Sequence, residues 1–167
     1  MYKRQQHIIA FIYSGELQIT YGSKIITFVA GDTILVPKNQ LSRSTKKPIN
    51  GEPFKCVSMA LPEEDLREFY VNRKVLQTWG DNILKERAVK SNALLTNFFE
   101  ALLPYFDLQD ELPDELVKIK VKEVLTIIDS LDKRASSILV TFGQIGKIDL
   151  QKYMDCLLYT SPSPRDA

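Results

Sequence analysis

The chain contains a single histidine, His7, and two cysteines, Cys56 and Cys156. An imidazole can carry a proton near neutral pH or bind a metal, and thiolates can ligate zinc or attack a carbonyl. Neither cysteine sits in a CxxC pair or near a second histidine that would complete a zinc site, and two are too few for a secreted disulfide framework. Cys56 lies in the apolar alternation FKCVSMAL, where a thiol is more often a small core residue than a reactive one. His7 opens the run HIIAFIYS, where it would serve as a pH-sensitive group, as a hydrogen-bonding partner for a ligand, or simply as a structural strand residue. Trp79, in QTWGDN, suits a stacking platform or an interface anchor, and its plainer role is an aromatic lid over the strand layer. No GxGxxG, Walker A, GxSxG or HExxH pattern occurs. These residues give no catalytic group, no metal site and no cofactor site, and the expectation is that the protein is not an enzyme.

The elements that must position these side chains divide the chain in two. HIIAFIYS (His7 to Ser14), ELQITY (Glu16 to Tyr21), KIITFV (Lys24 to Val29), TILVP (Thr33 to Pro37) and FKCVSMAL (Phe54 to Leu61) are rich in β-branched and aromatic residues and read as short strands. Gly15, Gly22 and Gly31 fall between them as turns. Short strands at this spacing predict antiparallel pairing closed into a barrel or sandwich. Lys38 to Asn50, holding Arg43, Lys46 and Lys47, reads as a solvated loop with at most a ragged edge strand.

From Pro62 the period becomes helical. Pro62 followed by Glu63, Glu64 and Asp65 is a helix start, since acids there face the positive end of the macrodipole. A second helix is predicted over Asn92 to Tyr105 and a third after Pro113. In the third, Val117, Val121, Val124, Ile128 and Leu131 recur at alternating four and three residues, the spacing of a coiled-coil seam. Leu116, Ile119, Leu125 and Ile127 supply another apolar face, so one face is expected to lie on the strands and the other to pair. A shorter helix follows over Ala135 to Phe142, and Ile148 to Met154 begins a further element.

Across 167 residues, 44% hydrophobic and 26% charged, 22 basic side chains balance 21 acidic ones. That composition fits an ordinary soluble globular protein and gives no basic excess for a free-standing nucleic-acid binder. No stretch approaches the roughly 18 apolar residues of a membrane span, and a cytoplasmic location with no membrane partner is expected. The tail from Cys156 looks like a translated transposon end used in sequencing-library preparation, and MYKRQ resembles the translation of its reverse complement. On that reading, residues 1–5 and 156–167 are adapter-derived and about Gln6 to Asp155 is an internal piece of a longer protein.

SGELQITYG followed by AGDTILVP is similar to the turn and strand signature of cupin barrels. With EEDLREFY, LLPYFD, and the run from LVKIKVKEVLTIIDSLDKR to IGKIDLQKYM, the segment resembles the N-terminal regulatory domain of AraC-type bacterial transcription regulators. The resemblance implies an α+β fold: a cupin-like antiparallel β-barrel over 6–61, truncated at its start, then a helical dimerisation region over 62–147. Residues 148–155 would lead to a DNA-binding domain that the chain lacks. It further implies a homodimer, for which Val117, Val121, Val124, Ile128 and Leu131 are the expected contact. A small-molecule effector or a regulatory protein would act on the barrel, and DNA would be reached only through the missing domain.

A free-standing ligand-binding cupin and a metal-dependent cupin enzyme are the alternatives. The cupin metal motifs would place a glutamate at Ile8 and a histidine at Ser42, with Asn39 where the second motif has glycine. An alkyl chain and a hydroxyl are poor replacements for two ligands of iron, manganese or zinc.

Overall fold

The computed structural model describes residues 2–3, 6–38, 41–74 and 88–140. Trp79, Cys156, Asn39 and the whole of 141–167 lie outside the described residues. Among the described residues there are eight strands: β1 (Tyr2–Lys3), β2 (His7–Ser14), β3 (Glu16–Tyr21), β4 (Lys24–Val29), β5 (Thr33–Val36), β6 (Leu41–Lys47), β7 (Lys55–Leu61) and β8 (Ala88–Val89). The helices are α1 (Glu63–Tyr70), α2 (Ala93–Leu102) and α3 (Asp114–Leu131), with a 3-10 turn at Leu103–Asp107 and a helical stretch over 133–140. The mixed α+β class is as expected.

The strands form two antiparallel four-stranded sheets, β1-β6-β3-β4 and β7-β2-β5-β8. Among the described residues no strand pairing joins them, so the expected barrel is an open pair of sheets. Alternation along the strands explains the layering. On β3, Leu17, Ile19 and Tyr21 point inward while their neighbours are half-exposed, the pattern of a sheet with one wet face. On β2 both faces are buried: Ala10 and Ile12 meet Leu17, Ile19 and Phe28 of the other sheet, while Ile9 and Phe11 face the helices. The second sheet is therefore the middle of three layers.

The SGEL and AGD turns carry the chain between sheets. Gly15 has φ +82°, and a Cβ there would lie 2.7 Å from the Lys47 carbonyl oxygen, so both conformation and space demand glycine. At the AGD turn, the Gly31 N–H donates to the Ile12 carbonyl at 2.8 Å, and the Val29 N–H donates to the Asp32 carboxylate at 2.8 Å. Together these bonds fix the crossing from β4 to β5.

Several elements depart from the sequence-based expectation. Leu41–Lys47 is a full strand, paired with β3 from Glu16 to Thr20. Its residues from Arg43 onward are exposed, so backbone bonding holds it and no apolar alternation announces it. Cys56 is exposed, because the strand period turns it away from buried Val57. Tyr2–Lys3 pairs with Leu41 and Ser42, a two-residue ladder that asks nothing of side-chain identity.

The largest difference concerns α3. Val121, Val124 and Ile128 are 1%, 0% and 0% exposed and pack with Ile9, Phe11, Phe99 and Leu95 in the core between sheet and helices. Leu131 is partly buried against the same core, and Val117 is 39% exposed. The four-three seam is thus this chain's own packing stripe. Each such burial stabilises the fold by roughly 1.5–3 kcal/mol, which exposing it to a partner would forfeit. Of the five residues expected at a dimer contact, Val121, Val124 and Ile128 are covered within the chain itself, while Val117 and Leu131 keep some exposure.

The helix ends are anchored by side chains. Asn92 Oδ1 accepts from the Leu94 N–H at 2.8 Å and caps α2. Asp132 is buried and accepts from the backbone N–H groups of Arg134 at 3.0 Å and Lys90 at 3.3 Å, tying the 133–140 helix to the end of β8.

Candidate functional site

Antiparallel pairing places the start of β2 beside the ends of β5 and β7: His7 pairs with Leu61, and Ile8 with Val36. Three chain segments therefore converge at one end of the middle sheet. The Lys38 N–H donates to His7 Nδ1 at 3.4 Å. The Lys38 ammonium, with its side chain 9% exposed, pairs with the Glu63 carboxylate at the first position of α1, and Glu63 also receives Arg67 one turn later. These two hydrogen bonds hold the Glu63 carboxyl below the usual range. A lysine this buried needs such a partner, so the pair fixes where α1 leaves the sheet.

His7 is 1% exposed, and its burial, reinforced by the nearby Lys38 charge, lowers its pKa to about 4. The ring is neutral throughout the physiological range. Of the roles open to it in the sequence, the structural one fits, and a switch near neutral pH does not. Ile8 packs against the inter-sheet core and Ser42 is half-buried on β6, in the other sheet. Among the described residues no group of three or more His, Cys, Asp or Glu side chains is placed to hold a metal ion.

Two grooves run along opposite flanks of α3, as expected for positions about half a turn apart on a helix. The first, about 310 Å³, lies between α1 and α3 and is lined by Asp65, Glu68, Phe69 and Arg73 on one side and Lys118, Ile119 and Lys122 on the other. Arg73 sits 4.1 Å over the Phe69 ring and bonds Asp129 at 3.1 Å, bracing that wall. The second, about 180 Å³, is apolar and lies between β7, the 3-10 turn and the start of α3, with Met59, Tyr105, Phe106, Leu112, Leu116 and Val117 around it. Lys38, Phe69 and Phe106 were not singled out in the sequence. Lys38 looks like any loop lysine there, and the two aromatics look like core.

The model of the ExsA N-terminal regulatory domain matches residues 7–138. The chain belongs to that family. It is the regulatory half of an AraC-type regulator, as the resemblance implied. Solved structures of ToxT from Vibrio cholerae share the fold. An apo variant of ToxT aligns with TM-score 0.57 and 13% identity over 81% of this chain and 51% of that one. ToxT bound to (E)-4-(8-methylnaphthalen-1-yl)but-3-enoic acid gives 0.53 and 11% over 82% and 52%, and ToxT bound to an unsaturated fatty acid gives 0.50 and 15% over 82% and 50%. This ExsA-type domain thus spans about half the length of the ToxT chains it matches. No curated protein matches it. Among the described residues, no helix is long and apolar enough to cross a membrane.

Proposed function

We propose that in the intact regulator this domain binds a small apolar acid and contacts a second copy of itself, and that both events bias how a DNA-binding domain outside the chain is presented. The observation that carries the reading is the family match over 7–138. The strand half, 6–61, would receive the effector, and the helical half, 62–147, would carry the self-contact, with 148–155 leading towards the DNA-binding half. In keeping with a regulatory family, the domain itself would do no chemistry.

Two of the ToxT structures hold molecules with a carboxylate head and an apolar body. In this chain, Lys38 and Arg67 are the cations set to meet such a head, which would displace the Glu63 carboxylate from both. Titration of the protein with an unsaturated fatty acid below its micelle concentration tests this. Saturable binding that weakens about tenfold in Lys38→Met, with the fold retained, is expected; tenfold is about 1.4 kcal/mol, within the range of a charge-assisted hydrogen bond. Absence of saturable binding overturns the effector reading, and binding unaffected by Lys38→Met overturns the assignment of the head group.

The self-contact is better supplied by the α1–α3 groove than by the buried seam. Ile119 is 61% exposed, and the acids Asp65 and Glu68 face the bases Lys118 and Lys122 across the groove. A two-fold axis would set the acidic wall of one copy against the basic wall of the other.

A further inference from the structure

The second groove has a different electrostatic character. Ten large hydrophobic side chains are exposed among the described residues, and four of them, Leu103, Phe106, Leu108 and Val117, fall within fifteen residues around this groove. Phe106, at 67%, is the most exposed of those four. The same segment carries Asp107, Asp110, Glu111, Asp114 and Glu115, all exposed and next in sequence to residues of the groove, with no Lys or Arg between residues 103 and 117. Among the described residues none of these five carboxylates has an ion-pair partner. Asp114 and Glu115 have a local explanation, because they occupy the first turn of α3 and meet its positive end. Asp107, Asp110 and Glu111 lie outside any helix of the α type and have none. The one lysine lining the groove, Lys120, is bonded to Glu123 at 2.9 Å and lies 5.8 Å over the Phe98 ring, so its charge is turned inward and matched.

Volume and charge together select the occupant. A space of about 180 Å³ falls below the roughly 300–1,000 Å³ of a small-molecule pocket and suits one anchoring side chain. A second copy docked through this face would bring the same five carboxylates opposite one another across a two-fold axis, which like-charge repulsion opposes. Anionic ligands and anionic membranes are disfavoured by the same acids. The complementary surface is an apolar stripe flanked by positive charge. We propose that this groove is a docking site for a basic amphipathic helix of a partner protein, which sets an apolar side chain between Phe106 and Val117 and its Lys or Arg side chains against the acidic rim.

The test uses two labelled synthetic helical peptides with the same Leu stripe at i, i+3, i+4 and i+7, one carrying Lys and the other Glu elsewhere. Fluorescence anisotropy at physiological salt should show the Lys peptide binding at least about tenfold more tightly than the Glu peptide. Phe106→Ser, and separately the pair Asp110→Lys and Glu111→Lys, should each weaken the Lys peptide by about fivefold or more. Ile25→Ser, at a 64% exposed position on β4 in the far sheet, should leave it unchanged. All three changes are at exposed sites, and circular dichroism verifies that the fold is kept. Equal binding of the two peptides overturns the proposal. So does Lys-peptide binding that is insensitive to Phe106→Ser, or that falls equally with Ile25→Ser.

Discussion

The two grooves share one helix yet differ in what they can hold. The α1–α3 groove has acids on one wall and bases on the other about a partly apolar floor, so on the reading proposed above it would complement a copy of itself. The groove beside the 3-10 turn is almost wholly apolar, with exposed acids next to its lining residues in the chain, so on the reading proposed above it would repel a copy of itself and favour a cationic partner. The difference comes from which flank of α3 each uses: Lys118 and Lys122 lie on one, and Leu116 and Val117 on the other. One amphipathic helix, packed inward through Val121, Val124 and Ile128, therefore presents two surfaces of opposite preference.

The strongest way to break the comparison is to remove the stripe both grooves depend on. Val124→Asp places an unpaired carboxylate at a site with no solvent exposure, at a cost of several kcal/mol. The chain should lose its cooperative thermal transition in circular dichroism, and a folded monomer with weakened self-association would instead return the seam to the interface.

Acid should weaken both grooves together through the fold. Folded His7 stays neutral down to about pH 4, whereas the unfolded chain takes up that proton near 6.5. Between those values the unfolded state binds more protons, so this contribution is fully present above pH 6.5 and is lost as pH falls to about 4. The loss is on the order of 3 kcal/mol at 1.36 kcal/mol per pH unit. Urea unfolding at a series of pH values should show it, with a shallower slope in His7→Asn; equal slopes in the two proteins would place the pH dependence elsewhere.

The smallest expected effect separates the two grooves. Ile119→Asp should weaken self-association about tenfold, a change of about 1.4 kcal/mol, while Phe106→Asp leaves it within about twofold. Sedimentation across a concentration series checks both variants. The reverse ranking would exchange the roles assigned to the two surfaces.

Much of this architecture was legible in the residues. Leu17, Ile19 and Tyr21 alternate and proved to be one inward face, and Pro62 with its three acids marked the start of α1. β6 was not legible, because LSRSTKK has no apolar period and is held by its neighbours' backbones. The Lys38–Glu63 pair escaped notice because its members are 25 residues apart and meet only through strand register.

The sequence by itself determined the five apolar strands, the helices that follow them, the glycine turns between sheets and the family to which the chain belongs, since propensity, turn chemistry and motif act over a few residues. Only the tertiary structure decided that Val121, Val124 and Ile128 of the seam are buried together with Leu125 of the second face, while Ile119 is left exposed. Both faces are apolar enough to pack, and which of their residues are covered rests on the side chains that Ile9, Phe11 and Phe99 present to that core. The same packing left Ile119, Phe106 and Val117 in solvent, where the flanking charges give each groove its preference.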